Sequence, residues 1–92
     1  MREVRTQTKF QADVKRLNRS RRIDFETLRY VFREVEAGED VPASLKPHPL
    51  RGDWAGWWEF HLDADLLVIY RLTETAAIFY RLGTHAQLFG KR

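Results

Sequence analysis

Trp57-Trp58-Glu59-Phe60-His61-Leu62-Asp63-Ala64-Asp65-Leu66-Leu67-Val68-Ile69-Tyr70-Arg71-Leu72-Thr73-Glu74-Thr75-Ala76-Ala77-Ile78-Phe79-Tyr80-Arg81-Leu82 is the stretch whose periodicity sets the architecture. From Trp57 to Leu62 the alternation puts Trp58, Phe60 and Leu62 on one face and Trp57, Glu59 and His61 on the other, the period of a strand. Asp63-Ala64-Asp65 reads as a turn and Leu66 to Leu72 as an apolar strand. Thr73-Glu74-Thr75 turns again, and Ala76 to Leu82 is a third strand. Gly83-Thr84 closes the meander, and His85 to Phe89 forms a last turn of helix.

Upstream the period changes. Phe10, Val14 and Leu17 share one helix face, with Lys9, Lys15, Arg16 and Arg19 on others. Asn18 to Arg22 is a polar, basic connector. Asp24 can accept the unpaired amide hydrogens of a first turn, and Phe25, Leu28, Val31, Phe32 and Val35 follow as a second stripe that Gly38 ends. Glu3-Val4-Arg5-Thr6 is a short strand. Residues 39–56 hold Pro42, Pro47, Pro49, Gly52 and Gly56, an ordered loop anchored by Leu45, Leu50 and Trp54. The order β-α-α-β-β-β predicts an α+β fold, one domain over 1–92, with the N-terminal strand and helical hairpin packed on an antiparallel sheet. The opposite sheet face is left to carry a site.

The only histidines, His48, His61 and His85, fall in the C-terminal half near strand ends or loops. Asp65 lies four residues after His61 and Arg81 four before His85. Imidazoles titrate near neutrality, so this set in a basic chain suggests metal-independent phosphodiester chemistry. Zinc also takes such donors, but no His-x-x-x-His pair occurs and the ligands would come from three separate segments; no metal and no cofactor are expected.

The absence of cysteine excludes disulfides and thiolate sites. Met1-Arg2-Glu3-Val4 lacks a signal-peptide apolar run, and no apolar run approaches membrane-spanning length. The expected location is cytoplasmic, without a membrane partner. The net charge of +3 is unevenly spread: residues 1–33 hold ten Lys/Arg against four Asp/Glu, and residues 34–40 hold four acids and no base. The basic excess on the N-terminal helices, Lys9, Lys15, Arg16, Arg19, Arg21 and Arg22, suits docking on a phosphate backbone; the plainer reading is a solvated helical surface.

Three segments in order carry a resemblance: His48-Pro49-Leu50-x-Gly52-x-Trp54-x-Gly56, then His61-Leu62-x-x-Asp65-Leu66-Leu67-Val68-Ile69-Tyr70, then Arg81-x-Gly83-Thr84-His85-x-x-Leu88-Phe89-Gly90. Together they resemble the YafQ-type branch of the RelE/ParE toxin superfamily. The resemblance implies a type II toxin–antitoxin toxin that cuts mRNA in the ribosomal A site without metal. In that chemistry the 2′-hydroxyl attacks the adjacent phosphate, leaving a 2′,3′-cyclic phosphate and a 5′-hydroxyl. It also implies a neutralising antitoxin, which would link the toxin indirectly to operator DNA. The family's site matches His48, His61, Asp65, Arg81, His85 and Phe89 here. Two positions depart: Trp58 stands where the family often has an arginine, and Ala64 where it often has a proline.

Transesterification needs a base, an acid and a cation. His85 is expected to be the general acid and Asp65 the base or a group that orients a histidine. His48 and His61 are expected to position the phosphate or share in proton transfer, Arg81 to stabilise the transition state, and Phe89 to stack on a base. Arg81 also reads as a structural ion pair and Asp65 as a plain turn residue. Two other functions suit the fold: the gyrase-inhibiting ParE branch, which generally lacks these histidines, and a degenerate toxin that retains only antitoxin binding.

Overall fold

The structure is a computed structural model describing residues 1–90, so Lys91 and Arg92 of the expected domain over 1–92 lie outside the described residues. In chain order the elements are β1 (Glu3–Thr6), α1 (Thr8–Ser20), α2 (Phe25–Glu36), β2 (His48–Pro49), β3 (Trp58–His61), β4 (Leu67–Leu72), β5 (Ala76–Gly83) and α3 (His85–Phe89). The strands form one sheet in the order β1-β5-β4-β3-β2. β3, β4 and β5 make the expected antiparallel meander, with Phe60 opposite Val68 and Leu72 opposite Ala77.

Three features differ from the sequence reading. β1 pairs parallel with β5, Val4 opposite Ala77, so the sheet is mixed rather than wholly antiparallel. Four isolated strand residues carry no signal of their partner's direction. His48-Pro49 adds an edge strand too short to show a period. Its proline has no amide hydrogen to offer, which an edge tolerates. Helix α1 also runs on through Asn18 to Ser20, taking part of the supposed connector.

The helix ends follow local chemistry. Thr27 N donates to Asp24 Oδ1 at 3.0 Å, the expected N-cap of α2. Gly38, at φ +99°, turns the chain away after α2 in a conformation that a side chain resists. The stripes of α1 and α2 bury Phe10, Leu17, Leu28, Val31 and Val35 against Phe60, Val68, Tyr70, Phe79 and Leu82. Phe79 is the hub, with the Phe32 ring edge-on at 4.7 Å. On the opposite face a smaller cluster of Leu67, Ile69 and Leu88 is rimmed by Leu50, Trp54, Trp57, Tyr80 and Phe89. That face is therefore partly roofed by the β2–β3 loop and α3.

One acid sits inside the helical stripe. Asp13, 4% exposed, accepts from Arg81 Nε at 2.8 Å, Leu82 N at 2.9 Å and Arg16 Nη2 at 2.8 Å. Burial by itself would raise its carboxyl, but the bonds from Arg81, Leu82 and Arg16 outweigh burial and hold it below the usual carboxylate range. A lowered folded value stabilises the fold above the unfolded value, and that contribution is lost as pH falls through the folded one. In urea unfolding, the advantage of the native chain over Asp13→Asn should be full at neutral pH and shrink below about pH 4. An advantage that is independent of pH would refute the ionic origin.

Candidate active site

The site begins with the β2–β3 register, which sets His48 directly opposite Glu59. Lys46, in the left-handed region at φ +57°, turns its carbonyl toward His48 Nδ1 at 3.1 Å. His48 Nε2 meets Glu59 Oε2 at 2.8 Å. The ring is thus held at both nitrogens. Glu59 is 6% exposed, and its other oxygen, Oε1, is buried with no hydrogen-bond partner among the described residues. A buried carboxylate left half satisfied is costly, and such groups mark functional sites. His61, two residues along β3, faces the same side, its ring centroid 6.2 Å from that of His48.

His85 is placed by α3. Thr84 and Gln87 form a capping box: Gln87 N donates to Thr84 Oγ1 at 3.2 Å, and Thr84 N donates to Gln87 Oε1 at 2.9 Å. A side chain on the preceding glycine would crowd this cap, since a Cβ on Gly83 would stand 3.0 Å from Gln87 Oε1 and 3.1 Å from Leu88 Cδ2. Leu88 docks against Leu67 and Ile69, fixing the helix on the sheet. The Gly-Thr-His segment is therefore a device for presenting His85 at the first position of a capped turn. The Phe89 ring lies 5.0 Å from His85 and meets Trp54 edge-on at 5.9 Å.

These parts line one cleft of about 350 Å³: His48, Pro49, Leu50, Arg51, Trp54, Glu59, His85 and Phe89. Glu59 and Arg51 were not anticipated as site residues. Glu59 had a sequence signal, since alternation puts it on the face of His61. Arg51, a loop residue, had none.

His61, Asp65 and Arg81 are not part of that lining; His61 adjoins it through His48 and Glu59. Asp65, its side chain 70% exposed, pairs with Arg21 Nη1 at 3.3 Å, while Arg21 Nη2 reaches Asp63 at 3.2 Å. Asp63 Oδ1 accepts from Asp65 N and Leu66 N, so Asp63 shapes the turn that carries Asp65. Arg81 spends its Nε and Nη2 on Asp13. Of the basic residues read as a docking face, Arg16 and Arg21 have acid partners, and Lys9 lies 5.8 Å over the Tyr80 ring. Lys15, Arg19 and Arg22 are exposed. Trp58, 40% exposed, lines a separate cavity on the helix side of the sheet with Val41, Pro47 and Tyr70. The Trp58 departure thus leaves the cleft lining untouched.

Three possible metal donors nevertheless come together here. One ligand atom each from His48, Glu59 and His61 lies within 4.8 Å of the others. Antiparallel pairing joins segments that look remote in the chain. Two imidazoles and a carboxylate with an unpartnered buried oxygen fit a zinc or copper ion.

A family model for YafQ, a bacterial toxin of type II toxin–antitoxin systems, matches residues 2–90. The mRNA interferase toxin YafQ of Escherichia coli is 37% identical over 90 residues, 97% of each chain. The crystal structure of the E. coli DinJ-YafQ complex superposes with a TM-score of 0.82 at 34% identity, covering 98% of this chain and 100% of that one. A metal-bound toxin from Helicobacter pylori superposes with a TM-score of 0.83 at 32% identity, covering 97% and 100%. Fold and relatives thus define a small α+β toxin of the endoribonuclease class. Within that class the chain belongs to the YafQ family of type II toxin–antitoxin toxins. No helix of the described residues is long and apolar enough to cross a membrane.

Proposed function

We propose that this toxin cleaves mRNA in the ribosomal A site by metal-independent attack of a 2′-hydroxyl on the adjacent phosphate. The convergence of His48, Glu59 and His85 with Phe89 on one cleft, beside His61, carries the reading. His61 makes no side-chain hydrogen bond among the described residues and is free to take the 2′ proton as the 2′-oxygen bonds to phosphorus. His85 gives a proton to the departing 5′-oxygen, so a cyclic phosphate and a 5′-hydroxyl result. His48, held at Nδ1 by the Lys46 carbonyl and at Nε2 by Glu59, positions the scissile phosphate. Asp65, engaged by Arg21, moves from the base to support of the β3–β4 turn behind His61. Arg81 contributes its remaining edge to the charge, and Phe89 stacks on a base.

An ion held by His48, Glu59 and His61 would add positive charge at the cleft floor, but it would occupy the lone pair that the base needs. Cleavage should therefore persist with a zinc- and copper-selective chelator that leaves ribosomal Mg²⁺ in place, be suppressed by added zinc, and return on adding that chelator. Loss of activity with the selective chelator would reverse the assignment. The decisive assay is primer extension on mRNA in a purified bacterial translation system. In-frame cuts that require ribosomes support the reading. Cuts on naked RNA alone remove the ribosome, and absent cuts favour a gyrase-inhibiting or degenerate toxin.

Lys15, Arg19 and Arg22 are assigned to ribosomal RNA, with Lys9, Arg16 and Arg21 kept mainly for structure. Reversing the first three should weaken ribosome cosedimentation at moderate salt without changing the fold. Unchanged binding would make the helix a merely solvated face. The DinJ-YafQ complex supports a cognate antitoxin as protein partner. Operator DNA reached through that antitoxin, and action in the cytoplasm, belong to the same proposal.

A further inference from the structure

Asp13 is the one acid in α1, on a helix otherwise populated by Lys9, Lys15, Arg16 and Arg19. It points inward, and its position on β5 is specific. The β1–β5 ladder ends at Thr6 opposite Phe79, with Gln7 N donating to Phe79 O at 2.9 Å. Past that point β5 has no strand on this side, and Asp13 takes its next outward amide, Leu82 N, at 2.9 Å. The same carboxylate holds one edge of the Arg81 guanidinium, Nε at 2.8 Å and Nη2 at 3.2 Å. Arg81 Nη1 makes no hydrogen bond among the described residues. Two residues beyond Leu82 comes Thr84, the cap that presents His85.

We propose that Asp13 is a positioning residue for phosphodiester cleavage, fixing one edge of Arg81 so that the other is presented to the phosphate, and fixing the end of β5 from which His85 is displayed. This rests on the nuclease reading above. A carboxylate needed only to finish the sheet edge would use one oxygen on one amide. This one is also committed to a planar fork, whose donors then point in one fixed direction without being ordered at each turnover. Arg16, on the exposed side, closes the remaining lone pair of Oδ1 at 2.8 Å.

The test is a double-mutant cycle read as kcat, KM and melting temperature, assayed well below the melting point of every variant. Asp13→Asn keeps the shape and an oxygen for Leu82 N but loses the charge that orients the fork. It should lower kcat about tenfold or more with little change in KM. It should have almost no further effect in an Arg81→Ala background, because both changes remove one coupled unit. Asp13→Glu, which keeps the charge, should recover part of the loss. Arg81→Lys, which cannot form the fork, should itself mask Asp13→Asn and serves if Arg81→Ala folds poorly. Unchanged kcat in folded Asp13→Asn, or losses that multiply with those at Arg81, would overturn the proposal. Full activity in Arg81→Ala would overturn it differently, by removing the assigned role of Arg81 in the reaction, while His85→Ala still tests the nuclease reading.

Discussion

Alanine at position 85 should abolish mRNA cleavage while leaving the protein folded. A general acid is worth about 10²–10⁴-fold in rate, and here the leaving group is a 5′-alkoxide that departs poorly without a proton. The structural effect should be small for identifiable reasons. His85 is exposed at the first position of α3, and the helix is held by the Thr84–Gln87 box and by Leu88 rather than by the imidazole. The melting temperature should therefore stay close to that of the parent, and so should affinity for the antitoxin. Primer extension gives the cleavage signal and a thermal melt gives the control. A folded His85→Ala protein that still cuts at the parental rate would remove His85 from the chemistry. The cleft would then have to be read around His48 and His61 alone.

Much of this was legible in the chain, and the limits have physical causes. The meander was readable because β3 alternates, β4 and β5 are apolar runs of strand length, and Asp63–Asp65 and Thr73–Thr75 punctuate them. Asp24 and Gly38 were readable because caps are local chemistry. The partners of β1 and of His48-Pro49 were not, since pairing direction and register are tertiary facts. The same limit hid Glu59 as a partner of His48, although alternation put it on the face of His61. It also hid the approach of His48, Glu59 and His61 to one another, because distance along the chain is not distance across a ladder. Asp13 did carry a signal: it falls three residues after Phe10 and four before Leu17, on the buried stripe of α1. A carboxylate there needs a cation or amides to meet it. Which ones could not be read, as Arg81 lies 68 residues away. Charge composition likewise could not separate Arg16 and Arg21, spent on internal acids, from Lys15, Arg19 and Arg22.

Glu59→Gln should lower activity while sparing stability, a combination that separates a functional carboxylate from a structural one. The native carboxylate is buried, bonded at Oε2 to His48 and unpartnered at Oε1. An amide there can still donate to His48 Nε2 while the ring keeps the Lys46 carbonyl at Nδ1, and Oε1 has no partner to lose, so the melting temperature should change little. The reaction is affected far more. A buried carboxylate behind an imidazole fixes the ring, and losing such a partner costs about 10⁴-fold where it is the ring's sole anchor. His48 keeps a second anchor in the Lys46 carbonyl, which argues for a smaller loss, of the order of 10²-fold. The substitution also removes one of the three metal donors, so the zinc concentration needed to suppress residual cleavage should rise. A variant with parental cleavage and a sharply lower melting point would invert the argument and make Glu59 a strut for the β2–β3 pairing. Loss of activity with unchanged melting and weakened zinc inhibition would tie all three observations to one buried carboxylate.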